Sequence, residues 1–114
     1  MTRVYKTLGR AEWAAAREAG VFLGSEVDRR DGYIHLSTAA QAGETARKWF
    51  AGRDDLVVLE LEADELGPAL RWEPSRGGDL FPHLYAALDP ARVLAEHAAP
   101  LRPDGAPALP SPLA

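Results

Sequence analysis

Asp31-Gly32-Tyr33-Ile34-His35-Leu36-Ser37-Thr38 is the stretch on which the fold turns. Between a glycine and two hydroxyl residues, Tyr33 to Leu36 alternate as a short strand does. Ile34 and Leu36 fall on one face, Tyr33 and His35 on the other. Ser37 and Thr38 then open a helix directly, with no loop between. Thr38 and Gln41 have the spacing of a capping box, Ser37 being the other possible cap. The helix runs through Ala39, Ala42, Ala46, Trp49 and Phe50 and stops at Gly52.

Upstream, Val4 to Leu8 reads as a strand broken by Gly9. Arg10 to Ala19 is an Ala-rich helix with Trp13, Ala16 and the stem of Arg17 on one side, and Gly20 sits where a left-handed cap belongs. Val21 to Gly32 offers no period, and Asp28-Arg29-Arg30-Asp31-Gly32 reads as a polar turn or loop. Downstream, Leu56 to Glu62 is apolar and then alternating, a central strand. After a turn at Asp64 to Gly67, Leu70 to Glu73 is a short strand, and Pro74 to Asp79 a loop with Gly77-Gly78 at its tip. Phe81-Pro82-His83-Leu84-Tyr85 is strand-like, but its proline suits an edge better than a central position. Arg92 to Glu96 is the last strand. The pattern predicts an α+β fold: a mixed or antiparallel sheet with two main helices, both in the N-terminal half.

The chain has 114 residues and 12.3 kDa, enough for one domain, placed at 1–99. Residues 100–114 hold five prolines and no apolar period, and read as an extended or disordered tail. Seventeen acids against thirteen bases give a net charge of −4, which argues against broad nucleic-acid binding. With no cysteine, thiolate chemistry and Cys-based zinc sites are excluded. No apolar run approaches the ~18 residues of a membrane span, and the first residues lack a signal-peptide core, so the expected location is the cytoplasm.

Three places put reactive groups beside strand ends: Lys6; His35 with Ser37 and Thr38; and the Phe81–Tyr85 segment. A helix start offers free N–H groups and a partial positive charge to a phosphate or carboxylate. His35 either donates to a ligand there or fills a half-buried position while Ser37 merely caps. His83 and Tyr85 share a face, as the polar wall of a pocket or as an edge-strand surface. Zinc on His35 and His83 with Glu73 or Asp79 lacks any recognised ligand spacing, so no metal is expected. Ser37 lies in no Gly-x-Ser-x-Gly elbow, and no phosphate-binding glycine loop is present.

Taken together, the opening Val-Tyr-Lys-Thr, the Trp13 helix with Gly20, the segment from Asp31 to Gln41, Leu-Arg-Trp-Glu at 70–73 and Phe81–Tyr85 resemble the bacterial domain of unknown function 952 family, nearly to residue 98. That family is similar in fold to the ADP-ribosyltransferase catalytic domain, a split β-sheet. It also resembles the RNA 2′-phosphotransferases, which carry a His-x-His-Leu-Ser segment at a strand–helix junction. The resemblance implies a cleft between two sheets that binds NAD. Lys6 would be the first station, His35 with Ser37 the second and Phe81–Tyr85 the third.

Two departures qualify it. Lys6 stands where His or Arg is usual, and a lysine is a point charge without a planar fork. The third station of ADP-ribosylating enzymes is a glutamate, whereas here Glu73 precedes the segment. Arg29, Arg30, Arg71 and Arg76 are candidates for a phosphate. The expected site is therefore His35 and His83 as catalytic residues, with Lys6, Tyr33, Ser37, Thr38, Arg71, Glu73 and Tyr85 binding a small nucleotide-like ligand, NAD or ADP-ribose. The chain is then either an NAD-dependent transferase or a non-catalytic binding module on the same scaffold.

Overall fold

The chain runs β1 (Arg3–Gly9), α1 (Arg10–Ala19), α2 (Glu26–Asp31), β2 (Ile34–His35), α3 (Ala39–Trp49), β3 (Leu56–Glu62), β4 (Leu70–Ser75), β5 (Asp79–Leu84) and β6 (Val93–Ala99). Short 3-10 turns occupy Ala63–Ala69 and Pro90–Arg92. The structure is a computed structural model that describes residues 2–75 and 78–109.

The strands form two three-stranded sheets, ordered β1-β3-β6 and β2-β5-β4, and every pairing is antiparallel. The fold is α+β, with its helices concentrated in the N-terminal half. β3 opens with four apolar residues, Leu56 to Leu59, because it is central and covered there on both faces. Val57, Leu59 and Leu61 join Val4, Leu8, Trp13, Phe22, Ile34, Leu36 and Leu84 in a core shared by both sheets and α1. Leu56 and Val58 face the other way, onto Tyr5, Ala42, Ala99 and half-buried Phe50. One bridge ties the sheets together: Tyr5 N–H donates to Ser37 O at 2.8 Å, and Ser37 N–H to Tyr5 O at 2.9 Å.

Several local expectations need correction. The polar stretch from Asp28 is not a loop but most of α2. It has no apolar period to read. What makes it helical is Ser25 N–H donating to Asp28 three residues on, acids in the first turn, Arg29 and Arg30 in the last, and Gly32 capping at φ 90°. The proline of β5 lies in the central strand of its sheet, not at an edge. Pro82 is tolerated there because its carbonyl accepts from Leu36 N–H at 3.0 Å, so its missing N–H falls on the same side, just past the end of two-residue β2.

Ser75 pairs with Asp79, so strand pairing takes in both ends of the expected Pro74–Asp79 loop, whose Gly77 lies outside the described residues, and β6 begins at Val93 and reaches Ala99. Trp49 is 66% exposed and does not belong to the buried stripe of α3, which is Ala42 and Ala46.

Residues 100–109 fold back on the body. Leu101 bridges to Pro107, Gly52 N–H donates to Gly105 O at 2.7 Å, and Leu109 packs against the outer face of β3. Among the described residues no helix is long and apolar enough to cross a membrane.

Candidate functional site

Lys6 sits on the inward face of β1 between Val4 and Leu8, opposite Leu59, and its side chain is only 7% exposed. An ammonium held there must be paired. Its partner is Asp28 of α2, 2% exposed, with Lys6 Nζ 2.8 Å from Oδ2. Asp28 is fully used as an acceptor. Oδ2 also takes Ser25 N–H at 2.9 Å, while Oδ1 takes His35 N–H at 3.1 Å and faces His35 Nδ1 at 2.7 Å.

Burial pushes the Asp28 carboxyl up, but the hydrogen bonds from His35 and the charge and hydrogen bond of Lys6 outweigh it. They hold the group well below the usual carboxylate range. Burial pulls Lys6 below its ordinary value, with Asp28 working against that shift. Gly24 makes the room, since a Cβ there would stand 2.8 Å from Asp28 Cβ.

His35 is held at both ends. Its Nε2 lies 3.1 Å from Oδ2 of Asp31, the last residue of α2. Asp28 therefore faces Nδ1 and Asp31 lies within ion-pair distance of Nε2.

Across the β2–β5 pair, His35 is in register with His83, and the ring centroids are 5.6 Å apart. His83 is buried, with Nδ1 2.8 Å from Oε1 of Glu73, and Tyr85 Oη donates to the same oxygen at 2.6 Å. Those bonds, Tyr85 first and His83 second, hold Glu73 below its ordinary pKa, and Glu73 raises that of Tyr85. The Tyr33 ring joins the two halves. It stacks on His83 at 4.1 Å and touches His35 at 4.6 Å and Tyr85 at 5.1 Å. Burial raises the Tyr33 phenol, helped by Asp31, Glu73 and Asp28.

These groups border a cavity of about 640 Å³, within the range of small-molecule pockets, ~300–1,000 Å³. Lys6, Asp28, Tyr33, His35, Ser37 and His83 line it, with Glu12, Trp49 and Arg53 also on its wall. Lys6, His35, Ser37, Tyr33 and His83 are thus brought together. Glu73, Tyr85 and Arg71 stand behind the Tyr33–His83 wall, Arg71 lying 4.7 Å over the Tyr85 ring. Although Glu73 precedes the third segment in sequence, the β4–β5 hairpin sets it opposite Phe81 and onto His83.

Thr38 is not brought to the cleft. It caps α3, accepting from Gln41 N–H at 3.3 Å, and lines a separate hollow of about 500 Å³ with Gln41, Glu44 and Lys48. Ser37 donates to Thr45 Oγ1 at 3.3 Å. Of the four arginines, Arg30 lines the cleft and pairs with Asp31 at 3.2 Å, Arg29 is exposed on α2, and Arg76 lies outside the described residues. Among the described residues no group of three or more His, Asp or Glu is placed to hold a metal ion.

The residues that sequence reasoning passed over are Asp28 and Asp31. The available signal was the Ser25-x-x-Asp28 spacing between Gly24 and Gly32, which marks a short capped helix.

Residues 7–96 match the family model described as Protein of unknown function (DUF952). The chain belongs to that family. A solved relative, protein CC0527 from Caulobacter crescentus, is 54% identical in its crystal structure, with 93% of each chain covered and a TM-score of 0.91. Its solution NMR structure gives a TM-score of 0.85 at 54% identity, covering 94% of this chain and 92% of that one. No curated protein matches the chain. Lys6 lies just before the matched span, whereas both histidines of this DUF952 cleft lie inside it.

Proposed function

We propose that the cleft between the two sheets binds a nucleotide of the NAD or ADP-ribose class. One observation carries the reading: Lys6 from the first sheet and His35 and His83 from the second meet at a single cavity of about 640 Å³. The aromatic faces of Tyr33 and Trp49 suit a planar base or nicotinamide ring. His35 and Ser37 offer polar atoms to a ribose or an amide. Two three-stranded sheets that each bring side chains to the one cavity support the reading.

Calorimetric and thermal-shift titration with NAD, nicotinamide, ADP-ribose and a 2′-phosphorylated nucleotide tests this, comparing the parent chain with His35→Ala. Saturation at a hundredfold excess over Kd stabilises by about 2.7 kcal/mol, a readable rise in Tm. A nucleotide response lost in His35→Ala is expected. No response to any of the four compounds removes the reading.

Glu73 favours a second reading, in which the cleft also performs NAD-dependent transfer. In that step the bond from the ribose anomeric carbon to nicotinamide breaks, nicotinamide leaves with the electron pair, and an acceptor oxygen bonds to the same carbon. His83, on the cleft wall, is the group to take the acceptor's proton, and Glu73, behind it and bonded to its Nδ1, holds the ring and balances the charge it gains. Nicotinamide release from NAD, abolished in Glu73→Gln, is the expected result. Binding without release leaves a non-catalytic module.

A further inference from the structure

His35 is gripped by two carboxylates of opposite character. Asp28 is buried and saturated by four donors, so it cannot move without stranding Lys6. Asp31 is exposed, ends a six-residue helix, and among the described residues has beyond His35 only a surface contact with Arg30, itself 72% exposed. An exposed pair of this kind is worth at most about 1 kcal/mol and exchanges readily. When His35 is protonated, Lys6, Asp28, His35 and Asp31 together carry no net charge. Withdrawing Asp31 leaves one positive charge and an N–H at Nε2 on the cleft wall.

We propose that Asp31 is a place-holder for the ligand. Its carboxylate occupies the His35 Nε2 position, and an oxyanion of the ligand, phosphoryl or carboxylate, takes that position when it binds. Asp28 stays in place and fixes the ring by Nδ1. The inference rests on the cleft being a binding site and adds the chemical class of the group that meets His35. The other groups facing the ring, Tyr33 and His83, offer it no competing acceptor of that charge. Since an anion gains from losing any nearby acid, the effect of Asp31 must be separated from that of the field. Glu26 lines the same cleft, and no contact joins it to His35.

The test is titration with inorganic phosphate, read by the His35 ring nitrogens in long-range proton–nitrogen spectra, for the parent chain, Asp31→Ala, Asp31→Asn and Glu26→Ala. Both Asp31 variants change an exposed position and are expected to fold. Expected is phosphate binding up to about fivefold tighter in the Asp31 variants, with the Nε2 resonance moving on titration and Nδ1 held. Unchanged or weaker binding in the Asp31 variants, a silent His35 ring, or an equal gain in Glu26→Ala overturns the proposal. Running NAD and ADP-ribose in parallel separates the two ideas. Phosphate capture at His35 without any nucleotide response rejects the nucleotide reading alone, whereas a nucleotide response indifferent to Asp31 rejects this inference alone.

Discussion

Lys6 Nζ stands 2.8 Å from Asp28 Oδ2, with both side chains withdrawn from water, so a complete ion pair forms the floor of the cleft. Breaking such a pair from one side strands a buried charge, at a cost of about 3–5 kcal/mol. Lys6→Met and Asp28→Asn should each show that loss in urea unfolding. The double variant should be much less destabilised than the sum, because neither stranded charge remains. Additive losses would show that the two groups do not act as a pair.

Acid should reveal the same pair through its sign. The folded-state pKa of Asp28 is depressed, so its contribution is complete above the unfolded value of about 3.9 and is lost only as pH falls through the lower folded value. The stability gap between the parent chain and Asp28→Asn should therefore stay level down to about pH 4 and narrow below it. Urea midpoints across an acid series measure this. A gap that closes between neutrality and pH 4 would place the titrating group elsewhere.

Two glycines flank the helix that carries Asp28, and they should respond differently to a methyl group. Gly24 has φ 108° and Gly32 has φ 90°, so alanine at either pays the left-handed strain of about 1–2 kcal/mol. At Gly32 nothing lies within 4 Å of the added carbon, whereas at Gly24 it would meet Asp28 Cβ at 2.8 Å. Gly24→Ala should therefore cost more than Gly32→Ala and also disturb the His35 ring resonances. Equal losses, with His35 unmoved, would remove Gly24 from the account of how Asp28 is seated.

How much of this was legible in the sequence follows from what each residue has to signal. β3 declared itself because its first four residues, Leu56 to Leu59, are buried on both faces and all apolar, with alternation only from Glu60 on. The His35 segment was legible through its alternation, and His83 through its neighbours. α2 was not, because a six-residue helix made of acids and bases has no buried stripe, and its stability lies in caps and in Asp28's contacts with distant Lys6. Pro82 misled for a related reason. Whether a missing N–H matters depends on which neighbour the strand side faces, and that is set by the length of β2. Glu73 needed the register of the β4–β5 hairpin, which places it on His83 although it comes earlier in the chain.

The Glu73–Tyr85 bond gives the most local test of the site's electrostatics. All three tyrosines are raised above their ordinary value of about 10, Tyr5 and Tyr33 mainly by burial and Tyr85 mainly by its hydrogen bond to Glu73. A raised phenol contributes stability that is complete below the unfolded value and disappears as pH rises through the folded one. Alkaline titration followed by near-ultraviolet absorbance should therefore show no tyrosinate at the ordinary value in the native chain. Glu73→Gln should bring Tyr85 down most and Tyr33 less, because Glu73 is only a secondary cause at Tyr33. Tyr5 should not move, since its shift comes from burial, Glu60 and Arg3. Tyr85→Phe and Tyr5→Phe assign the individual steps. A Tyr85 step that stays high in Glu73→Gln would mean that its surroundings, and not the carboxylate that also holds His83, set its proton.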